Sequence, residues 1–223
     1  MIKIVDENIV DIVPCTGGIL FARKQQVADG RWKISFHALD IKKMKIAPVM
    51  RGSYLRTKFG DGFRHIAKSV GDYISCEAAT FDSEHTVILF PTGKIRLFDS
   101  TGKSVWSNEL LYHDVPVQSV VVDGQKLWCA VPQENSIVSY SIQHKKFYMR
   151  IGSKASTALA NPQSVVKYGN ELFVSCADAK KIRAVQLNNY AVHDFRTFDE
   201  PVYRYLRVCS KEIVWLASGV YIL

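Results

Sequence analysis

Gln118-Ser119-Val120-Val121 recurs 45 residues later as Gln163-Ser164-Val165-Val166. In the same register, without a gap, Gly124 recurs as Gly169, Leu127 as Leu172 and Ile137 as Ile182. A fixed period of this size is the signature of an array of small β-sheets. Each copy holds four β-type runs separated by turn chemistry. In the first they are 118–122, 126–131, 136–142 and 147–151, with Asp123-Gly124 as a hairpin turn. In the second they are 163–167, 171–176, 181–187 and 191–195. Four antiparallel strands in about 45 residues make one propeller blade.

Weaker copies lie upstream. One reads 74–80, 86–90, 94–98 and 104–107; an earlier one reads 9–13, 19–23, 32–38 and 45–47, with Asp29-Gly30 as a turn. The last segment supplies three runs, 202–208, 212–217 and 220–223. Its missing strand is available at the other end, where 2–5 precedes the first complete blade without a partner. Pairing the two ends would complete a fifth blade and remove an open seam. The expectation is an all-β, five-bladed propeller spanning 1–223 as one domain, with an insertion at about 48–72 between the first and second blades. An open β-sandwich would explain neither the period nor the three-strand ending.

The copies resemble the NHL-type repeat, clearly over about 116–195. The resembling stretch is Ile151-Gly152-Ser153, Asn161-Pro162-Gln163-Ser164-Val165, Gly169-Asn170-Glu171-Leu172-Phe173-Val174-Ser175 and Lys181-Ile182-Arg183. Most copies lack the family's usual acidic residue after the second strand. The resemblance implies a binding platform for protein or RNA, and occasionally an enzyme, and leaves the ligand open.

Composition sets the other bounds. No apolar run approaches the ~20 residues needed to span a bilayer, and the N-terminus lacks the apolar core of a signal peptide. Five cysteines, Cys15, Cys76, Cys129, Cys176 and Cys209, form no CxxC pair. Their spacing suits buried, reduced thiols in separate strands. A cytoplasmic, monomeric protein without a membrane association is expected. There are 29 Lys and Arg against 21 Asp and Glu, a net charge of +8. That balance favours anionic partners at long range.

Half of this charge is concentrated in one link. Arg51–Lys68 carries five basic residues and one acid. Arg51, Arg56, Lys58 and Arg64, interleaved with Tyr54, Phe59 and Phe63, are the candidate contact surface for a protein, an anionic ligand or RNA. Cations meet carboxylates or phosphates while aromatics stack on bases. The plainer alternative is a long loop that packs its aromatics on the propeller and solvates its charges. A second candidate comes from aligning the inner strands, which brings Asp11, Glu77, Gln118, Gln163 and Tyr203 into a ring near the channel. Such a ring could hold a cation or a polar molecule, or merely bond loop backbone and water.

No catalytic residue, metal site or cofactor is read from the sequence. The six histidines have no metal-ligand spacing, and no GxSxG or HExxH motif occurs. Trp32, Trp106, Trp128 and Trp215 are expected to pack between blades. The leading expectation is therefore a non-enzymatic binding module. The alternative is a propeller enzyme of the lyase or lactone hydrolase type, with its site at the channel.

Overall fold

The structure is a computed structural model that describes residues 1–6, 8–27 and 30–223. The chain opens with β1 (Ile2–Val5), which waits for its partners at the far end of the sequence. The first complete blade follows: β2 (Ile9–Cys15), β3 (Gly18–Gln26), β4 (Trp32–Asp40) and β5 (Lys45–Pro48). Two helices come next, α1 (Arg51–Phe59) and α2 (Phe63–Val70). The second blade is β6 (Glu77–Thr80), β7 (His85–Leu89), β8 (Lys94–Asp99) and β9 (Ser104–Glu109). A small hairpin, β10 (Leu111–Tyr112) and β11 (Val115–Pro116), leads to the third. That blade is β12 (Ser119–Asp123), β13 (Lys126–Val131), β14 (Ser136–Ser141) and β15 (Lys146–Gly152). The fourth is β16 (Pro162–Tyr168), β17 (Glu171–Cys176), β18 (Lys181–Gln186) and β19 (Val192–Thr197). The chain ends with β20 (Val202–Val208), β21 (Lys211–Leu216) and β22 (Gly219–Ile222).

The five four-stranded antiparallel sheets form the ring expected from the repeat. Closure is also as expected. β1 pairs with β22, Ile2 opposite Ile222 and Val5 opposite Val220, giving the sheet order β1-β22-β21-β20. The fifth blade thus takes one strand from one end of the chain and three from the other.

Burial follows position within the blade. β13 and β17 are buried on both faces over nearly their whole length, because a neighbouring blade covers each side. The repeated Leu127 and Leu172 are fully buried at equivalent places, each worth roughly 1.5–3 kcal/mol of apolar burial. The outermost strands, such as β5 and β19, are mostly exposed. The repeated glycines have a backbone reason: Gly124 and Gly169 open two-residue hairpins at φ 60° and 59°. In the fifth blade Cys209 and Ser210 adopt the left-handed turn instead, at φ 50° and 61°. Of the expected Asp29-Gly30 turn, Asp29 lies outside the described residues.

The insertion departs from the loop expected between the first two blades. It is a helical hairpin, and it supplies core. Tyr54, Leu55, Lys58 and Phe59 form one buried stripe of α1; Phe63, Ile66 and Ala67 form that of α2. Gly60 and Gly71, both at φ 76°, end the helices, their N–H groups donating to Arg56 O and Ala67 O. Six helical side chains join Val13, Leu20, Ala22 and Phe36 of the first blade and Cys76, Ile88 and Phe98 of the second in one cluster. The hairpin is therefore a wedge in one seam of the ring. It runs along the blades: α1 starts at the mouth end after β5, and the start of α2 touches the β8–β9 turn at the opposite end. There a Cβ on Gly102 would lie 2.7 Å from Gly62 O.

The cysteines differ in accessibility. All five are free; Cys76, Cys129 and Cys176 are buried, Cys15 is partly buried and Cys209 is exposed in its turn. Burial pushes the Cys76 thiol up to about 11 and that of Cys176 up to about 12. Burial raises Cys129 and Cys15 as well. A thiol reagent at pH 8 should therefore label Cys209 rapidly in the native protein, with Cys76 and Cys176 at least about a hundredfold slower because so little thiolate is present. Unfolding should release all five. A second rapidly labelled site, or fewer than five groups after unfolding, would contradict this assignment.

The tryptophans pack between blades only in part. Trp128 is buried in a seam and Trp106 lies against the second–third seam. Trp32 is 54% exposed, at the outer end of β4 beneath the Lys24 ammonium. Trp215 packs against the seam between the fifth and first blades and also lines the channel mouth.

Candidate functional site at the channel mouth

The inner strands all start at one end of the channel, where the links between blades also gather. A cavity of about 330 Å³ opens there and draws side chains from all five blades. All five residues of the sequence-derived ring line it: Asp11, Glu77, Gln118, Gln163 and Tyr203. They do not form one layer. The hairpin turns end in the pairs Cys15↔Gly18, Asp123↔Lys126, Tyr168↔Glu171 and Val208↔Lys211. Counting back four residues from the first member of each gives Asp11, Ser119, Ser164 and Arg204. Bulges over Val10, Gln163 and Tyr203 absorb one residue in the first, fourth and fifth blades. The expected ring therefore joined two levels: Asp11 and Glu77 belong to the deeper one, Gln118, Gln163 and Tyr203 to the lip.

The deeper level is a floor of paired charges. Arg204 bonds Glu77 through Nη2 and lies 3.6 Å from Asp11 Oδ1 through Nη1. Lys58 Nζ reaches Asp11 Oδ2 at 2.5 Å, and its side chain is only 3% exposed. Its other donors go to Tyr73 O at 2.8 Å and Ile74 O at 3.3 Å. The Tyr54 hydroxyl also donates to Asp11 Oδ2. Burial holds Tyr54 well above the ordinary phenol range, and the Asp11 charge adds to the effect. Burial likewise raises the Glu77 carboxyl, against the opposing pull of Arg204 and of the Val120 N–H and Ser119 hydroxyl that donate to it. Two acids meet two bases, so the floor is internally neutralised. Beneath it lies a second, much smaller cavity of about 40 Å³, sharing Asp11, Glu77 and Arg204 with the one above. The paired charges thus stand across the channel between the two spaces.

Above the floor the walls differ. On the third and fourth blades Gln118 Nε2 donates to Gln163 Oε1 at 3.0 Å, and Gln163 Nε2 to Asn161 Oδ1 at 2.6 Å. On the fifth, Tyr203 and Trp215 meet edge to face with centroids 5.9 Å apart. In the deeper level Glu77 accepts the Val120 N–H and Ser119 accepts the Val165 N–H, each stitching one blade to the next. The Ser164 hydroxyl, next in the series, has no hydrogen-bond partner, and neither has the Arg204 Nε; both atoms have almost no accessible surface.

Four of the seven residues of the candidate basic surface are buried. Tyr54, Phe59 and Phe63 are buried at 0%, 1% and 8% exposure, and Lys58 is buried on Asp11. Their apolar area is needed in the seam, so none presents a ring to a partner. Arg51, Arg56 and Arg64 are exposed. Arg51 lies over Tyr73 at 4.6 Å, while Arg56 and Arg64 flank the Phe63 ring at 5.4 and 5.7 Å. None has an acid partner among the described residues. They sit on the outer face of the helical wedge, Arg51 at its mouth end and Arg56 and Arg64 farther along it. The sequence reading missed Arg204 and the pairing of Lys58. The bulge over Tyr203 hides the first, because it interrupts the alternation of strand β20 just there.

Among the described residues no group of three or more His, Cys, Asp or Glu side chains is placed to hold a metal, and no helix is long and apolar enough to cross a membrane. No family model matches the chain, and no curated protein matches it. Among solved structures, the computationally designed Ika8 protein is similar over 96% of this chain and 57% of its own, at 9% identity and a TM-score of 0.50. The designed Ika4 protein matches 66% of this chain and 88% of its own, at 12% identity and a TM-score of 0.49. Hydrazine synthase of Kuenenia stuttgartiensis matches 66% of this chain and 48% of its own, at 14% identity and a TM-score of 0.46. Likenesses at such identities concern the fold alone. Fold and site together define a five-bladed β-propeller suited to interaction or binding.

Proposed function

We propose that this propeller is a non-enzymatic binding module whose ligand enters at the channel mouth, and whose flank offers a separate contact to an acidic protein. The observation that carries the reading is the mouth cavity, built from all five blades and lined at its lip by two glutamine amides with bonding capacity to spare. The resemblance of the repeats to the NHL type accords with it. A lyase or lactone hydrolase would need its channel acids free. Here Asp11 and Glu77 are engaged by Lys58 and Arg204. On the flank, Arg51, Arg56 and Arg64 are preset over aromatic rings and lack acids of their own. An acidic protein segment fits them better than single-stranded RNA, because Phe63 is buried and the half-buried Tyr73 is covered by Arg51, which leaves little ring face to stack on bases. The free thiols accord with a monomer working in the reducing cytoplasm.

Two probes test the flank. Fluorescent polyglutamate and an oligoribonucleotide are titrated at 50 and 200 mM salt by anisotropy. Polyglutamate binding should weaken with salt and fall at least about tenfold in the Arg51→Ser/Arg56→Ser/Arg64→Ser variant, which should melt like the wild type because exposed substitutions usually cost within ~0.5 kcal/mol. Tighter RNA binding, lost in the same variant, would move the reading to nucleic acid. No binding of either would leave the charge merely solvated.

A further inference from the structure

We propose that the mouth cavity is a binding site for a neutral, hydroxyl-rich ligand of the monosaccharide or polyol class. This deepens the reading of the mouth as a binding site and rests on it. A free anion entering the cavity meets the Asp11 and Glu77 carboxylates, and a free cation meets the Arg204 guanidinium. Each of these charges already has its counterpart, so neither kind of ion gains an unsatisfied partner. A neutral ligand avoids both conflicts.

The walls then ask for hydroxyl groups. Primary amides give and accept bonds at once, and so do hydroxyls. Gln118 and Gln163 already form a chain across two blades, which fixes their orientation, and each retains donors or acceptors toward the cavity. The Ser164 hydroxyl and the Arg204 Nε, although unpartnered, have almost no accessible surface, so the bonds offered to a ligand are those of the two amides. The opposite wall is aromatic: Tyr203 and Trp215 offer apolar surface to the C–H face of a sugar ring. The volume of about 330 Å³ admits a molecule of one or two rings. Hydroxyl-bonding amides facing an aromatic wall over a neutralised floor suit a ligand polar at its edges and apolar on one face.

The test is saturation-transfer NMR and calorimetry with a fixed panel: glucose, galactose, N-acetylglucosamine, maltose and myo-inositol, each charged counterpart being glucuronate or glucosamine. At least one neutral member should bind, and glucuronate and glucosamine should bind at least about tenfold more weakly. Gln118→Ala with Gln163→Ala should weaken binding about tenfold or more. Tyr203→Ala is the independent variant at the exposed lip, and it should also weaken binding. If glucuronate or glucosamine binds best, with the same sensitivity to these variants, the ligand class is wrong and the mouth stands as a site. If binding is indifferent to all the variants, or no panel member binds, the proposal is overturned. A cavity-filling Gln163→Trp variant that leaves every other small-molecule response unchanged would remove the reading of the mouth as well.

Discussion

Deleting residues 1–6 should lower the melting temperature by about 10 °C and turn a dispersed protein into an associating one. β1 contributes the buried Val5 to the cluster between the fifth and first blades, and backbone bonds to β22. Apolar burial at roughly 1.5–3 kcal/mol for such a side chain, with about 1 kcal/mol net per hydrogen bond, gives a loss of about 3–5 kcal/mol. For a chain of this length each kcal/mol shifts the midpoint by about 2–4 °C. The deletion also removes the direct chain link between the fifth blade and the first, and it bares the edge of β22. Bared edges pair with other chains. Calorimetry and light scattering of the truncated protein check both effects. An unchanged midpoint and a monodisperse solution would mean that the fifth blade closes without β1.

The second large effect concerns the floor of the mouth. Lys58→Met should destabilise by about 3–5 kcal/mol, because it leaves the Asp11 carboxylate buried beside Tyr54 with only the more distant Arg204 for compensation. Asp11→Leu should cost a similar amount, since Lys58 would be left at 3% exposure facing two carbonyls. The double variant should be much less unstable than the sum, with a coupling of about 2–3 kcal/mol, because an apolar pair needs no countercharge. Urea unfolding of the four proteins completes the cycle. Additive losses would mean that the pair does not act as a unit and that the wedge is held by its apolar stripe alone.

The blades were legible because the third and fourth repeat each other residue for residue, and because 2–5 had no partner closer than the other terminus. Period and turn chemistry are local signals, and they survive in a single sequence. The helical wedge was obscured by its own charge. Five basic residues among eighteen drew attention to the exposed face, while Tyr54 and Lys58, or Leu55 and Phe59, already stood four apart in the helical spacing. Gly60 and Gly71 sat where helices end. The ring at the mouth was half legible: strand alignment found five residues that do line the cavity but placed them on one level. A bulge adds a residue without changing composition, so the shift from Tyr203 to Arg204 left no trace in the pattern. The bond from Lys58 to Asp11 joins residues 47 apart on different elements, and nothing in either neighbourhood announces it.

The pairing of Ile2 with Ile222 places the two ends of the chain side by side, on the end of the molecule away from the mouth. Linear order is therefore incidental to this ring. A short linker joining Leu223 to Met1, with new termini opened in the 153–161 link, should yield a permuted chain with the same five sheets, because every strand would keep its neighbours. The same adjacency has a practical side. Whatever is fused to either end projects from one spot on the far surface, so the protein can be anchored there, on a bead or a sensor chip, with its cavity facing the solution.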